Sequence, residues 1–252
     1  MKRVIIIGAT SGIGLELAKL FIAGGDTLGV TGRRCHLLDE LQKQFPQQVV
    51  TECFDVMAED NITHLRSLIE KLGGLDLLIY NSGYGEVSKT LDWQIDRQTT
   101  LTNVNGFVEI VNYTFNYFVK QGAGQIATTS SIAAVRENSQ APAYSASKAY
   151  MSMYMAGLYL KARRIRKSDP KINIAITDVQ PGFVNTKMAK ARPDDPVGGG
   201  KGRFWEAPLE KAARQIFNAI EKQRRKVYIT RRWALIAWLL KWMPHFIIKR
   251  FA

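Results

Sequence analysis

The sequence predicts an α/β fold: a single doubly wound parallel sheet of about seven strands with helices on both faces. Three observations carry this. Short apolar runs rich in β-branched residues recur at Val4–Ile7, Thr27–Thr31, Val49–Phe54, Leu75–Tyr80, Gly124–Ser130, Ile172–Val179 and Val227–Thr230. Stretches of helical period separate them, such as Leu15, Leu17–Ala18, Phe21–Ile22 and then Ile62, Leu65, Leu68–Ile69, Leu72, and strands alternating with helices build parallel sheets. The alternation is unbroken to about residue 230, which predicts one domain over 1–230 and a C-terminal helical tail over 231–252 that is not a domain of its own.

The first run, Val4–Ile7, is too short for a secretory apolar core and reads as a strand. It leads into Gly8-Ala9-Thr10-Ser11-Gly12-Ile13-Gly14 and then a helix. Strand, glycine turn and helix in that order form a phosphate site: the turn lets backbone N–H groups approach an anion, and the helix N-terminus adds partial positive charge. The second run ends in Val30-Thr31-Gly32-Arg33-Arg34. An acid at this position would bond a ribose 2′-OH, whereas arginine accommodates a 2′-phosphate, so NADP(H) is preferred and NAD(H) remains possible. Asp55, after the third run, suits either an adenine amino group or the cap of the next helix. Asn81-Ser82-Gly83 follows the fourth run and Ser130-Ser131 the fifth; the sixth ends at Pro181-Gly182. All lie at carboxyl ends of strands, where open parallel sheets bind ligands.

Between the fifth and sixth runs stands Tyr144-Ser145-Ala146-Ser147-Lys148. Residues four apart share a helix face. An ammonium beside a phenol favours the phenolate, which turns a tyrosine of ordinary pKa ~10 into a usable acid or base.

Together these motifs resemble the short-chain dehydrogenase/reductase family, in its branch of about 250 residues, over roughly residues 2–230. The matches are Gly8-x-x-x-Gly12-x-Gly14, Asn81-Ser82-Gly83, Asn103-Val104-Asn105-Gly106, Ser131, Tyr144-x-x-x-Lys148, and Pro181-Gly182 with Thr186. Ile7 stands where the family often has threonine, and Asn-Ser-Gly is shorter than the usual Asn-Asn-Ala-Gly. The resemblance implies a Rossmann-like fold and a catalytic set in which Tyr144 is the general acid/base. Lys148 holds the nicotinamide ribose and depresses the Tyr144 pKa, Ser131 (rather than Ser130) orients the substrate carbonyl, and Asn103 holds a water in a proton relay to Lys148. It implies cofactor contacts from Gly8, Thr10, Ser11, Gly12, Ile13, Gly14, Arg33, Arg34, Asp55, Val56, Asn81, Gly83, Pro181, Gly182, Val184 and Thr186, besides Tyr144 and Lys148. It further implies a homodimer or homotetramer paired through the helices around 105–120 and 144–167.

The expected activity is an NADP(H)-dependent interconversion of a carbonyl and a secondary alcohol, running towards reduction, on a small molecule that is hydrophobic or lipid-like. The alternative is a catalytically silent NADP-binding sensor or scaffold of the same fold, which loss of Tyr144, Lys148 or Ser131 would have favoured. Sugar-nucleotide epimerases share much of this chemistry but usually need a larger C-terminal substrate domain. The segment Thr186–Ala207, with Pro193, Pro196, Gly198–Gly200 and Gly202, reads as a lid. His36, His64 and His245 have no ligand spacing, so no metal is expected.

Composition sets the remaining bounds. Of 252 residues, 46% are hydrophobic and 23% charged, which excludes a disordered or collagen-like chain. Two cysteines, Cys35 and Cys53, exclude a disulfide scaffold and point to a reducing cytoplasm, with Cys35 an inert residue at a helix start. The net charge of +13 is uneven: nine Lys or Arg and no acid fall between Lys222 and Ala252. Within that stretch Trp233, Trp238 and Trp242 share an eleven-residue apolar run interrupted by Lys241. The run is too short to span a bilayer, and its cations are interleaved with bulky aliphatics, which argues against nucleic acid. It fits a helix lying on an anionic membrane surface, a subunit contact, or packing on the chain's own core.

Overall fold

A computed structural model describes residues 1–87, 90–186 and 206–244; the lid over 187–205 lies outside them. The described residues form a seven-stranded parallel sheet: β1 (Arg3–Ile7), β2 (Thr27–Gly32), β3 (Val49–Cys53), β4 (Leu77–Tyr80), β5 (Ala123–Thr129), β6 (Asn173–Pro181) and β7 (Lys226–Ile229). Their order across the sheet is β3-β2-β1-β4-β5-β6-β7. Each expected strand is present within one or two residues of its expected ends.

Alternate side chains of a strand point to opposite faces, and β1 divides its residues accordingly. Val4 and Ile6 join a core beneath α1 (Gly12–Ala23), α2 (Cys35–Gln44) and, near the C-terminus, the helix Leu209–Glu221. Ile5 and Ile7 join a second core beneath α3 (Asn61–Leu72), the helix Gly106–Gln121 and the helix Pro142–Ser168. In chain order these last are α5 (Gly106–Gln121), α6 (Pro142–Ser168) and α7 (Leu209–Glu221), with α4 spanning Trp93–Thr100 and α8 spanning Arg231–Trp242. Between α4 and α5 the chain makes a wide π-turn at Leu101–Asn105.

One feature corrects the sequence reading, and a second bears on an alternative it left open. Cys35 and Cys53 are joined in a disulfide. Parallel pairing sets Gly32 beside Cys53, and Cys35 begins α2 three residues after Gly32. The two Cα atoms therefore lie 5.3 Å apart, inside the range a disulfide bridges. Cys35 is thus not an inert thiol, and the cysteine count gives no support to a reducing compartment. The second concerns the tail. Its inner face packs on the chain's own core, with Trp233 and Ala237 buried, while Leu235, Trp238, Leu239 and Trp242 are exposed. No helix among the described residues is long and apolar enough to cross a membrane.

Beside the disulfide, Glu52 of β3 gathers three partners from α3. Lys71 Nζ lies 2.6 Å away, Ser67 Oγ donates at 2.5 Å, and His64 Nδ1 is at 3.0 Å. Burial opposes the charge of Glu52, but these bonds outweigh it and hold the carboxyl at about 2. A depressed carboxylate stabilises the fold fully above its unfolded pKa, and that stability is lost as pH falls towards the folded value. Glu52→Gln is therefore expected to cost ~2–3 kcal/mol at pH 7 and nearly nothing at pH 2, measured by urea unfolding across that range.

Candidate active site

The sheet order reverses between β1 and β4, and ligands of open α/β sheets bind outside the strand ends at such a point. A cleft of about 760 Å³ opens there. It is lined by Gly8, Thr10, Ser11, Gly12 and Ile13 after β1, by Arg33 and Arg34 after β2, and by Asp55 and Val56 after β3. Asn81 and Gly83 after β4, Ser130 and Ser131 after β5, and Pro181, Gly182, Val184 and Thr186 at and after the end of β6 complete those walls, with Tyr144 and Lys148 from α6. Of the expected residues, Gly14 and Asn103 are not part of the lining. A side chain at Gly14 would overlap the Gly8 carbonyl, so Gly14 lets α1 sit against the turn.

The phosphate turn is held from both neighbouring strands. Gly8 has φ +88°, which disfavours any side chain there. Its N–H and that of Ala9 donate to Thr31 O at 3.1 and 2.9 Å. Asn81 Nδ2 donates to Gly8 O at 2.9 Å, so Asn81 braces the turn from β4. Arg34 lies over the turn and donates to Thr10 Oγ1 and Ser11 Oγ at 2.6 and 2.7 Å. Arg33 faces Asp55 at 3.5 Å, and Asp55 also accepts Met57 N–H at 3.0 Å. Two exposed guanidiniums thus stand at the end of β2, where a 2′-phosphate would need them. The hydroxyls of Thr31 and Thr129, on two lining residues, are buried without a hydrogen-bond partner among the described residues. These groups fit a nicotinamide dinucleotide carrying a 2′-phosphate.

Tyr144 sits in the first turn of α6, which Pro142 opens. Lys148 follows one turn later, its Nζ 5.7 Å from the centre of the Tyr144 ring. Nζ donates to Thr129 O at 3.1 Å and lies 3.6 Å from Met151 Sδ. Complete burial pushes the lysine down to about 8, and the charge of Asp178 opposes that fall. Ser131 Oγ accepts Ala133 N–H at 3.1 Å, which leaves its own hydrogen to donate. Ser130 Oγ instead donates to buried Asp178 at 2.5 Å.

Asn103 lies within the π-turn and is fully buried. Its Nδ2 donates to Tyr84 O at 2.7 Å and Ser147 Oγ at 2.9 Å, and its Oδ1 accepts Tyr84 N–H at 2.9 Å. Both amide hydrogens are used, so the side chain clamps the Tyr84 backbone to α6. The nearby Tyr80 hydroxyl donates to Thr102 O at 2.7 Å, fastening the same turn to β4.

Gly85, Arg136, Phe183, Trp233 and Leu240 line the cleft and escaped the sequence reading, whereas Gly83 was expected. A side chain at Gly85 would overlap the Tyr144 ring, and one at Gly83 would come within 3.0 Å of Lys148 Nζ. Trp233 and Leu240 of α8 line the cleft. The Trp233 indole lies directly on Gly182 and edge-on to Phe183 at 5.4 Å. Arg136 Nε donates to Leu240 O at 2.6 Å, and its Nη2 to Met243 O, so the end of α8 is tied to the loop after β5. The only signal in the sequence was the apolar period at 233, 237 and 240, which outer-face tryptophans obscured.

Comparison with known proteins gives a consistent picture. Residues 2–196 match the family described as short chain dehydrogenase. An uncharacterized oxidoreductase of Staphylococcus epidermidis is 27% identical over 194 residues, covering 75% of this chain and 80% of the relative. Among solved structures, ElxO with NADP bound superposes with a TM-score of 0.76 at 19% identity, over 91% of this chain and 97% of that one. A 3-ketoacyl-(acyl-carrier-protein) reductase from Brucella melitensis complexed with NADH gives 0.76 at 18% identity, over 90% and 96%. The packing of Gly85 on Tyr144 can be tested directly. Gly85→Ala is expected to lower oxidoreductase turnover about 100-fold by displacing the ring, with an unfolding midpoint close to wild type; unchanged turnover would show that the ring does not need this contact.

Proposed function

The chain belongs to the short-chain dehydrogenase/reductase family, and from that premise we propose that it is an NADP(H)-dependent oxidoreductase interconverting a carbonyl and a secondary alcohol, working towards reduction. The observation that carries this reading is Tyr144 beside the buried Lys148, on the wall of a cleft whose phosphate turn is overlaid by arginine. Arg33, Arg34, Thr10 and Ser11 hold the 2′-phosphate end, the turn at Gly8–Gly12 the pyrophosphate, and Lys148 and Thr186 the nicotinamide half. When bound there, the cofactor supplies or accepts the hydride. NADP bound to ElxO supports that choice, while the Brucella reductase binds NADH.

The residues divide the rest of the work. Ser131 donates its O–H to the substrate oxygen and fixes its position. Tyr144 gives its proton to that oxygen as negative charge develops on it. The ammonium of Lys148 stabilises the phenolate left behind, at a depth where water screens little. Asn103 keeps the Tyr84 loop against α6 and so acts as a positioning residue; any relay of protons to Lys148 uses something other than its amide hydrogens.

The substrate meets Ile132, Ala133, Phe183, Trp233 and Leu240, an apolar set that favours a hydrophobic carbonyl compound. The exposed face of α8 carries Leu235, Trp238, Leu239 and Trp242 in an acid-free, cationic segment. This fits contact with an anionic bilayer. A second copy of the chain would instead meet α6, where Met153 is 75% and Leu160 61% exposed.

Tyr144→Phe is expected to abolish carbonyl-dependent NADPH oxidation while leaving NADPH affinity within about threefold; retained turnover contradicts the assignment. Arg33→Asp should weaken NADPH binding far more than NADH binding in fluorescence titrations, and an unaltered ratio would mean that another group reads the phosphate. The charged form of Lys148 is the one used, so kcat/KM for reduction should fall along an alkaline limb centred near about 8. Replacing Trp238, Leu239 and Trp242 with serine leaves Trp233 and Leu240 in the cleft wall. It should abolish co-sedimentation with anionic vesicles; equal pelleting of variant and wild type would dismiss the membrane contact.

A further inference from the structure

Asp178 is an acid in the middle of a buried parallel strand, 4% exposed and flanked by Thr177 and Val179. A carboxylate placed there is costly unless every oxygen is engaged. Its Oδ1 accepts Ser130 Oγ at 2.5 Å, and its Oδ2 accepts Ser152 Oγ at 2.6 Å and Gln180 Nε2 at 3.0 Å. Lys226 Nζ of β7 lies 3.9 Å from Oδ2 and donates to Ser152 Oγ at 3.3 Å. The carboxylate does not line the cleft, yet its partner Ser130 does, and its partner Ser152 lies one turn from Lys148, which also does. Ser130 immediately precedes Ser131 at the end of β5. Ser152 lies one helical turn beyond Lys148, on the same face of α6.

We propose that Asp178 is a positioning residue of the active site, a buried carboxylate that fastens the Ser131-bearing end of β5 to the Tyr144- and Lys148-bearing helix α6 and supplies the counter-charge for Lys148. That this positioning serves catalysis rests on the proposed use of Lys148; the fastening and the counter-charge do not. The titratable groups around the carboxylate are Lys148 on α6 and Lys226 and Tyr228 on β7, with Arg225 just before β7 and Lys241 on α8 bearing on Lys226. The two lysines compete for one negative charge. Burial lowers the pKa of each, and Asp178 raises it.

That competition gives opposite signs for two substitutions. Asp178→Asn removes the charge but keeps groups able to bond both serines. It should move the titration of Lys148 down by about one pH unit. Lys226→Met removes a like charge and leaves Asp178 to Lys148 alone, so the same titration should move up. The readout is the ε-carbon NMR signal of labelled lysine in the cofactor-free protein, assigned by its disappearance in Lys148→Met. It needs no substrate, so it stands or falls apart from the catalytic reading. In turnover, the alkaline limb of Asp178→Asn should move with the NMR titration, costing about tenfold relative to wild type at pH 9. Should Asp178→Asn fail to fold, Lys226→Met still decides. An unmoved Lys148 titration in either variant, or movement of both in one direction, would overturn the proposal.

Discussion

The structure turns on one constraint: an ammonium group has been buried almost completely in the wall of the cleft. Lys148 lies buried at the carboxyl end of the sheet, one turn from Tyr144. Burial alone would drive it neutral. The negative charge of Asp178 opposes that fall, and the ammonium donates to the Thr129 carbonyl and lies 3.6 Å from the Met151 sulfur. Such a poised cation is useful only if the groups around it are fixed to a fraction of an ångström. The fold spends its unusual features on that fixation. Gly83 and Gly85 give the lysine and the tyrosine room, and the π-turn lets Asn103 clamp the loop that carries them.

The second consequence concerns the C-terminal helix. Its inner face supplies Trp233 and Leu240 to the cleft, and Arg136 ties its last carbonyls to the loop after β5. Whatever covers its outer face is therefore one helix diameter from the cleft. A surface that bound α8 would press on a wall of the cleft, which joins the basic, tryptophan-rich tail seen in the sequence to the site seen in the structure.

Much of this was legible beforehand, for definable reasons. Strands buried on both faces announce themselves as apolar runs, and glycine turns, Tyr-x-x-x-Lys and Pro-Gly are local in sequence, so fold and cleft lining could be read directly. What escaped were relations between distant residues. Gly85 against Tyr144, Trp233 on Gly182 and Arg136 on Leu240 each join segments that nothing local connects. The Cys35–Cys53 bond depended on the register between β2 and β3. Asp178 was visible as an acid inside an apolar run, but only the arrangement of Ser130, Ser152 and Lys148 around it gives that acid a meaning. Asn103 was singled out as the holder of a relay water, whereas its side chain holds the Tyr84 backbone and does not line the cleft.

The claim that this cleft brings hydride and proton to one carbonyl is tested most directly by isotope transfer. The protein would be incubated with NADPH deuterated on either face of C4 and a panel of ketones graded from small polar to long-chain compounds, and the alcohols analysed by mass spectrometry. Deuterium arriving at the carbinol carbon from one face only, in wild type but not in Tyr144→Phe, is the expected result. Tight binding of NADPH with no deuterium passed to any member of the panel would contradict it.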